Sequence, residues 1–125
     1  MAKAERILIV DDDEDAADFA ARFLKSEGYE VRRAGSGPEA LRLVARRPFD
    51  LVLLDVRMPA MDGSQVLDEL LAGPRAPAVL VFTGDHGADP RIRAMTRRSA
   101  GIVLKPFKLN ELRRLIQRAL KGRAR

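Results

Sequence analysis

Four short aliphatic runs in this sequence each end on a side chain that can do chemistry. Ile7–Val10 runs into Asp11, Asp12 and Asp13, Leu51–Leu54 into Asp55, Ala78–Phe82 into Thr83, and Ile102–Leu104 into Lys105. If the runs are neighbouring strands, these side chains meet at one edge of a sheet. Carboxylates that face one another repel unless a cation sits among them, and hard oxygen donors with open positions suit Mg2+. A lysine there is a point charge for a phosphoryl or carboxylate oxygen, and the Thr83 hydroxyl adds a neutral donor. Cation, lysine and hydroxyl around one central carboxylate are the equipment for stabilising a phosphoryl group in transfer to Asp55. Taken alone, the acids from Asp11 to Asp15 read better as residues favouring the first turn of a helix. Asp55 and Thr83 turn that balance, while Asp13, Glu14 and Asp15 keep the capping and first-turn role.

The elements that must position these residues follow a βα rhythm, with no repeat, linker or low-complexity stretch. After Ile7–Val10, Ala16, Ala20, Phe23 and Leu24 share a helical face that closes at Gly28. Residues 30–34 form a half-polar strand, and Ser36 to Glu39 has the spacing of a capping box ahead of a helix whose Leu41, Val44 and Ala45 face inward and which Pro48 ends. Leu51–Leu54 is a continuous aliphatic run, as expected of a strand covered on both faces. Gly63 precedes a short helix carrying Val66, Leu67, Leu70 and Leu71, and Gly73 with Pro74 breaks the chain before the next strand. Asp89-Pro90 resembles a cap with proline in the first turn of a helix over 90–98, whose apolar face is only Ile92 and Met95. The last helix, from Leu109 to Lys121, repeats Leu112, Leu115, Ile116, Ala119 and Leu120 at helical spacing. Five such units with right-handed crossovers predict an α/β fold, an open parallel sheet with helices on both faces.

Composition removes several alternatives. A chain of 125 residues with 46% hydrophobic content fits one compact domain, expected over 1–125 with its core at about 5–121. It has no cysteine and a single histidine, His86, which excludes a disulfide framework, a thiolate nucleophile and multi-histidine or cysteine zinc sites. No apolar run is long enough for a signal-peptide core or a membrane span, so a cytoplasmic location without membrane contact is expected. The net charge of +5 is uneven: residues 1–90 carry 11 Lys and Arg against 17 Asp and Glu, whereas residues 91–125 carry 12 against Glu111 alone. Such asymmetry points to a charged partner surface, and on an amphipathic helix it is also an ordinary solvated face.

Read together, Ile7-Leu-Ile-Val-Asp-Asp-Asp13, Asp50-Leu-Val-Leu-Leu-Asp-Val-Arg-Met-Pro59, Met61-Asp-Gly63, Val81-Phe-Thr-Gly84 and Leu104-Lys-Pro-Phe107 resemble the response-regulator receiver domain of bacterial two-component signalling, over essentially the whole chain. The resemblance implies a flavodoxin-like doubly wound (βα)5 fold with strand order 2-1-3-4-5. It implies that Asp55 is the phospho-acceptor, that Asp11 and Asp12 are the acidic pair holding Mg2+ with Asp55, and that the backbone carbonyl of Arg57 is a further metal ligand. Thr83 matches the hydroxyl residue that turns toward the phosphoryl group and Gly84 the small residue leaving it room. Lys105 matches the family's lysine, with a cis bond to Pro106 expected. Arg57 and Asp85 occupy positions that tune how fast the phosphoryl group is lost. The implied donor is a phosphohistidine of a sensor histidine kinase or phosphotransfer protein, attacked in line by Asp55. The domain is then a timed signalling switch rather than an enzyme, limited to Mg2+-dependent self-phosphorylation and autodephosphorylation.

Departures from the family pattern fall on the output side. The family usually places Tyr or Phe three residues before the lysine as a rotamer switch that follows the threonine inward; Ile102 offers neither ring nor hydroxyl. Arg97-Arg-Ser-Ala100 replaces the usual Gly-Ala ending of the preceding helix, and Lys108 stands where a capping Asp or Thr is common. Receivers commonly signal through the last two helices and the strand between them. Here Arg91, Arg93, Arg97, Arg98, Arg113, Arg114 and Arg118 would crowd that face, so symmetric self-pairing would oppose like charges and an acidic protein partner is expected. Nucleic acid ranks lower, because no aromatic residues interleave the arginines and no helix-turn-helix segment follows.

Two rivals share parts of this equipment. A haloacid-dehalogenase-type phosphatase places its nucleophile after the first strand in an Asp-x-Asp-x-Thr setting, and the Thr is missing here. A flavodoxin-type binding module wants a Ser/Thr/Gly phosphate loop where this chain has five consecutive acids. The last helix exhausts the sequence, so the expectation is either a stand-alone receiver or a receiver from a longer regulator or hybrid kinase.

Overall fold

Each apolar run becomes a parallel strand and each amphipathic segment a helix laid against the sheet. The computed structural model describes residues 4–55, 63–73, 75–84 and 90–123, the side chains of Arg91 and Arg123 excepted. Its elements are β1 (Arg6–Val10), α1 (Glu14–Ser26), β2 (Glu30–Ala34), α2 (Gly37–Arg46), β3 (Leu51–Asp55), α3 (Gly63–Ala72), β4 (Ala78–Thr83), α4 (Pro90–Arg98), β5 (Gly101–Leu104) and α5 (Leu109–Arg123). All strand pairs are parallel and the order is β2-β1-β3-β4-β5, the flavodoxin-like order that the resemblance implied.

Strand alternation sorts the apolar side chains into two layers. Ile7, Ile9, Leu51, Leu53, Leu80, Phe82 and Val103 face α1 and α5, where Ala17, Ala20, Leu24, Leu112 and Ile116 meet them. Leu8, Val10, Val52, Leu54, Val79 and Val81 face α2, α3 and α4, which contribute Ala40, Val66, Leu67, Leu70 and Met95. Both faces of β3 are covered, which is why its sequence is an unbroken aliphatic run. Truncating one of its fully buried side chains, as in Leu53→Ala, costs about 2–5 kcal/mol.

Local signals act where their chemistry requires. The Asp13 side chain caps α1 by accepting from the Asp15 and Ala16 amides at 3.0 and 3.2 Å. At the other end Gly28 takes φ 96°, its amide donates to Lys25 O at 3.0 Å, and the Tyr29 amide donates to Leu24 O at 3.2 Å. That pair of bonds is a Schellman closure, which only a residue at ease with positive φ completes without strain.

Two details differ from the sequence expectation. Ala45 is exposed rather than inward: Ala40 is buried, Leu41, Leu43 and Val44 pack beside it, and one further 100° step carries Ala45 out to solvent. At the head of α2, Ser36 Oγ accepts from the Glu39 amide at 3.3 Å, but Glu39 Oε1 accepts from the Gly35 amide at 2.8 Å instead of from Ser36. The box is thus widened by one residue. α4 ends at Arg98 as expected and buries only Ile92 and Met95 as large apolar anchors. Its lateral support comes from Arg98, which pairs with Asp68 and donates to Ser64 Oγ at 3.1 Å, both on α3.

Candidate functional site

The parallel register sets the carboxyl ends of the central strands level. Val10 pairs with Leu54, Asp55 with Phe82, and Thr83 with Leu104, so Asp11, Asp55, Thr83 and Lys105 emerge side by side. Asp11, Asp55 and Thr83 are the polar residues buried among the described part of the chain, at 3%, 5% and 1% exposure, whereas Asp12 is exposed. Sinking two carboxylates this far is tolerable only with compensating donors and cations.

Those donors are local and specific. Asp11 Oδ1 accepts from the Asp13 amide at 2.9 Å, a turn that leaves Asp11 at the strand end while Asp13 begins the helix cap. Lys105 Nζ donates to Asp11 Oδ2 at 3.0 Å and lies 3.5 Å from Asp55 Oδ2. The same ammonium sits 4.8 Å from the centroid of the Phe82 ring, a cation–π contact that fixes its approach. Burial by itself pulls the Lys105 pKa down, but the hydrogen bond it donates to Asp11 and the charge of Asp55 outweigh it and hold the amine above its ordinary value. Lys105 therefore carries its full charge at neutral pH. The Lys105–Pro106 peptide bond is cis, and the Lys105 amide donates to Thr83 O at 2.8 Å.

One carboxylate oxygen each from Asp11, Asp12 and Asp55 lies within 4.8 Å of the others. Three hard oxygens, two buried and one open to solvent, form a donor set that fits Mg2+, which binds through few carboxylates and keeps several waters. Gly84 is exposed beside Thr83, and a Cβ built there meets nothing within 4 Å among the described residues.

Ile102 is half-buried on β5, paired with Val81, and it lines a groove with Leu104, Glu111, Arg114, Leu115 and Arg118. Of the basic face, Arg93, Arg97, Arg114 and Arg118 are exposed, but Arg98 and Arg113 are already paired, Arg113 Nε donating to Glu27 Oε1 at 2.6 Å. Arg57 and Asp85, with the metal and lifetime roles expected of them, lie outside the described residues, as do Met58, Met61, Asp62, His86 and the Arg91 side chain.

Phe82, the last apolar residue of its strand run, and Phe107, which closes the Leu104-Lys-Pro-Phe107 motif, were given no role of their own by the sequence, and the structure places both beside the site. Phe107 packs at a tilt against Phe82, with centroids 5.1 Å apart, and against the exposed Phe19 at 6.0 Å, so an aromatic row runs from beneath Lys105 to the surface of α1. The alternation of β4 was the available signal: Phe82 precedes Thr83 and thus sits one residue from the strand end on the α1 and α5 side.

Comparisons with known proteins agree with this geometry. A family model described as the response regulator receiver domain matches residues 7–117. The regulatory protein AtoC of Escherichia coli is 35% identical over 120 residues, covering 96% of this chain, and the chain spans only 26% of AtoC's length. Among solved structures, a CheY-like receiver domain protein from Methanospirillum hungatei superposes with a TM-score of 0.88 at 28% identity, covering 97% of each chain. The receiver domain of the sensor histidine kinase PA1611 from Pseudomonas aeruginosa superposes with a TM-score of 0.86 at 27% identity, covering 95% of this chain and 99% of the other. That structure holds a magnesium ion coordinated in its active-site cleft.

Proposed function

The chain belongs to the response regulator receiver domain family, and from that premise we propose that it is a signalling switch that accepts a phosphoryl group on Asp55. The observation that carries this reading is the shared cation: Lys105 Nζ between Asp11 and Asp55, beside three carboxylate oxygens that converge within 4.8 Å. A carboxylate held at a strand end next to an ammonium is a well-placed nucleophile.

In the reaction, an Asp55 carboxylate oxygen attacks phosphorus in line with a phosphohistidine of a sensor histidine kinase or phosphotransfer protein. The new bond is the acyl phosphate P–O bond. The P–N bond breaks and its electron pair leaves with the imidazole. Lys105, 3.5 Å from Asp55 and carrying its full charge, turns from the carboxylate to the arriving phosphoryl oxygens. Thr83, at the neighbouring strand end, donates its hydroxyl to the same group, and Gly84, with no Cβ, leaves room beside it. Asp11, Asp12 and Asp55 would hold Mg2+, which supplies neutralising positive charge to the phosphoryl oxygens. Removing one such preorganised charge or donor costs about 10²–10³ in rate. The reverse fate is attack by water on the acyl phosphate, which returns Asp55 and ends the signal.

Output would pass through α4, β5 and α5. The groove beside Ile102 and Leu115, rimmed by the exposed Arg114 and Arg118, supports an acidic protein partner there. No helix of the described residues is long and apolar enough to cross a membrane, and a cytoplasmic location suits a partner of a histidine kinase's phosphorylated domain.

The test is intact mass after incubation with a small phosphodonor, with and without Mg2+, for the parent and Asp55→Asn. One added phosphoryl group that requires both Mg2+ and Asp55 is expected. A modification that persists in Asp55→Asn would overturn the assignment.

A further inference from the structure

The amino-terminal end of the sheet carries a cavity that the phosphoryl-transfer site does not use. It has a volume of about 240 Å3 and is lined by Arg6, Arg32, Leu43, Arg46, Arg47 and Phe49. The four arginines come from three elements: Arg6 opens β1, Arg32 lies on β2, Arg46 ends α2 and Arg47 caps it. Register explains the convergence. Arg6 pairs with Glu30 and Leu8 with Arg32, so Arg6 and Arg32 project to the Leu8 and Val10 face, which α2 covers. Four residues of strand, about 13 Å, separate Arg6 from Val10 at the other end of β1.

Arg6 is a fixed wall of this cavity. Its guanidinium lies 4.5 Å over the Phe49 ring and Nη1 donates to the Pro48 carbonyl. Its Nε is buried with no hydrogen-bond partner, the Glu30 carboxylate standing at an ion-pair distance of 3.5 Å. The other three arginines are exposed, and none makes an ion pair or side-chain hydrogen bond with the described residues. By contrast Arg22, Arg33, Arg98 and Arg113 each meet an acid.

The end of α2 accounts for part of this charge, since cations there complement its unpaired carbonyls. It does not account for Arg32 on the edge strand or for Arg6, half-buried on β1. No acid is among the lining residues; the acids in contact with Arg6 are Glu30, at an ion-pair distance, and Asp50, whose Oδ2 accepts from the Arg6 amide at 2.7 Å. Guanidinium groups present planar forks that match phosphate oxygens two at a time, and Leu43 and Phe49 supply an apolar back wall.

We propose that this cavity is a binding site for the phosphate groups of a small ligand, either free phosphate anions or those of a nucleotide. Occupancy is independent of Asp55, because the two sites lie at opposite ends of the strands.

The test is isothermal titration of the full chain with inorganic pyrophosphate and, separately, adenosine diphosphate, at constant ionic strength and without divalent metal. The parent and Asp55→Asn should bind one equivalent with equal affinity. The double variant R32A/R46A, which removes two exposed and unpaired side chains, should weaken binding by roughly tenfold or more, while R93A/R97A on α4 should leave it unchanged. Equal affinity for both probes identifies phosphate alone as what is recognised, and tighter binding of the diphosphate nucleotide adds the apolar wall. Either supports the site. No saturable binding of either probe, or equal binding by R32A/R46A, would overturn it.

Discussion

Lys105 Nζ is shared by Asp11 and Asp55, at 3.0 Å from one carboxylate and 3.5 Å from the other. One ammonium thus offsets much of the repulsion between two buried acids that the strand register forces together. The Phe82 ring, 4.8 Å from Nζ, adds a cation–π contact from below.

Replacing this cation separates metal binding from transfer. In Lys105→Met the site becomes more negative by one charge, so Mg2+ should bind roughly tenfold tighter. Phosphorylation from a small donor should slow by about 10²–10³. Calorimetric Mg2+ titration and the rate of mass gain read the two effects, and weaker Mg2+ binding would contradict the arrangement described.

The tie between α1 and α5 should impose an acid limit on stability. The hydrogen bond from Arg113 holds the Glu27 carboxyl below its ordinary value, with the Arg113 charge adding to it and slight burial opposing. A lowered folded-state pKa gives stability that is present above the unfolded value near 4.5 and is lost as pH falls through the folded one. Denaturant midpoints of the parent and Glu27→Gln should therefore differ at pH 6 and converge toward pH 3. A constant difference across that range would show that the pair adds no linkage.

Gly28 supplies a backbone prediction that touches no contact. At φ 96° with nothing within 4 Å of a built Cβ, Gly28→Ala meets no clash, only the left-handed conformation. It should lose about 1 kcal/mol, read as a lower midpoint in urea with unchanged slope.

α4 should be the helix that opens first. With Ile92 and Met95 as its buried anchors, the Arg98 contacts to Asp68 and Ser64 on α3 carry much of its lateral restraint. In Arg98→Ala the amides of α4 should exchange several-fold faster while those of β1 and β3 keep their rates. Uniform acceleration across the domain would instead mean that Arg98 supports global stability.

The strands and the residues at their ends were legible because a strand covered on both faces has to be apolar throughout, which makes Leu51–Leu54 and the Asp55 that follows stand out. The strand order came from the family resemblance, and the register then made Asp11, Asp55, Thr83 and Lys105 neighbours. What stayed hidden depended on partners distant in sequence. Arg98 and Arg113 looked like free surface charge, since Asp68 lies 30 residues from the one and Glu27 86 from the other. Phe82 looked like core because a buried ring gives no sequence sign of the cation above it. Ala45 was misplaced because an alanine satisfies an apolar pattern on either side of a short helix.

Among the described residues the sheet ends on β2, with no strand on its outer edge, and this edge carries Glu30, Arg32 and Arg33 on a five-residue strand. A second molecule adding its own strand there would have to bring these charges against matching ones, and short charged edges resist such growth. β5 closes the opposite side with only four residues. The apolar runs that build the core thus stay central, and the two edges left to other chains are short, the one on β2 charged as well.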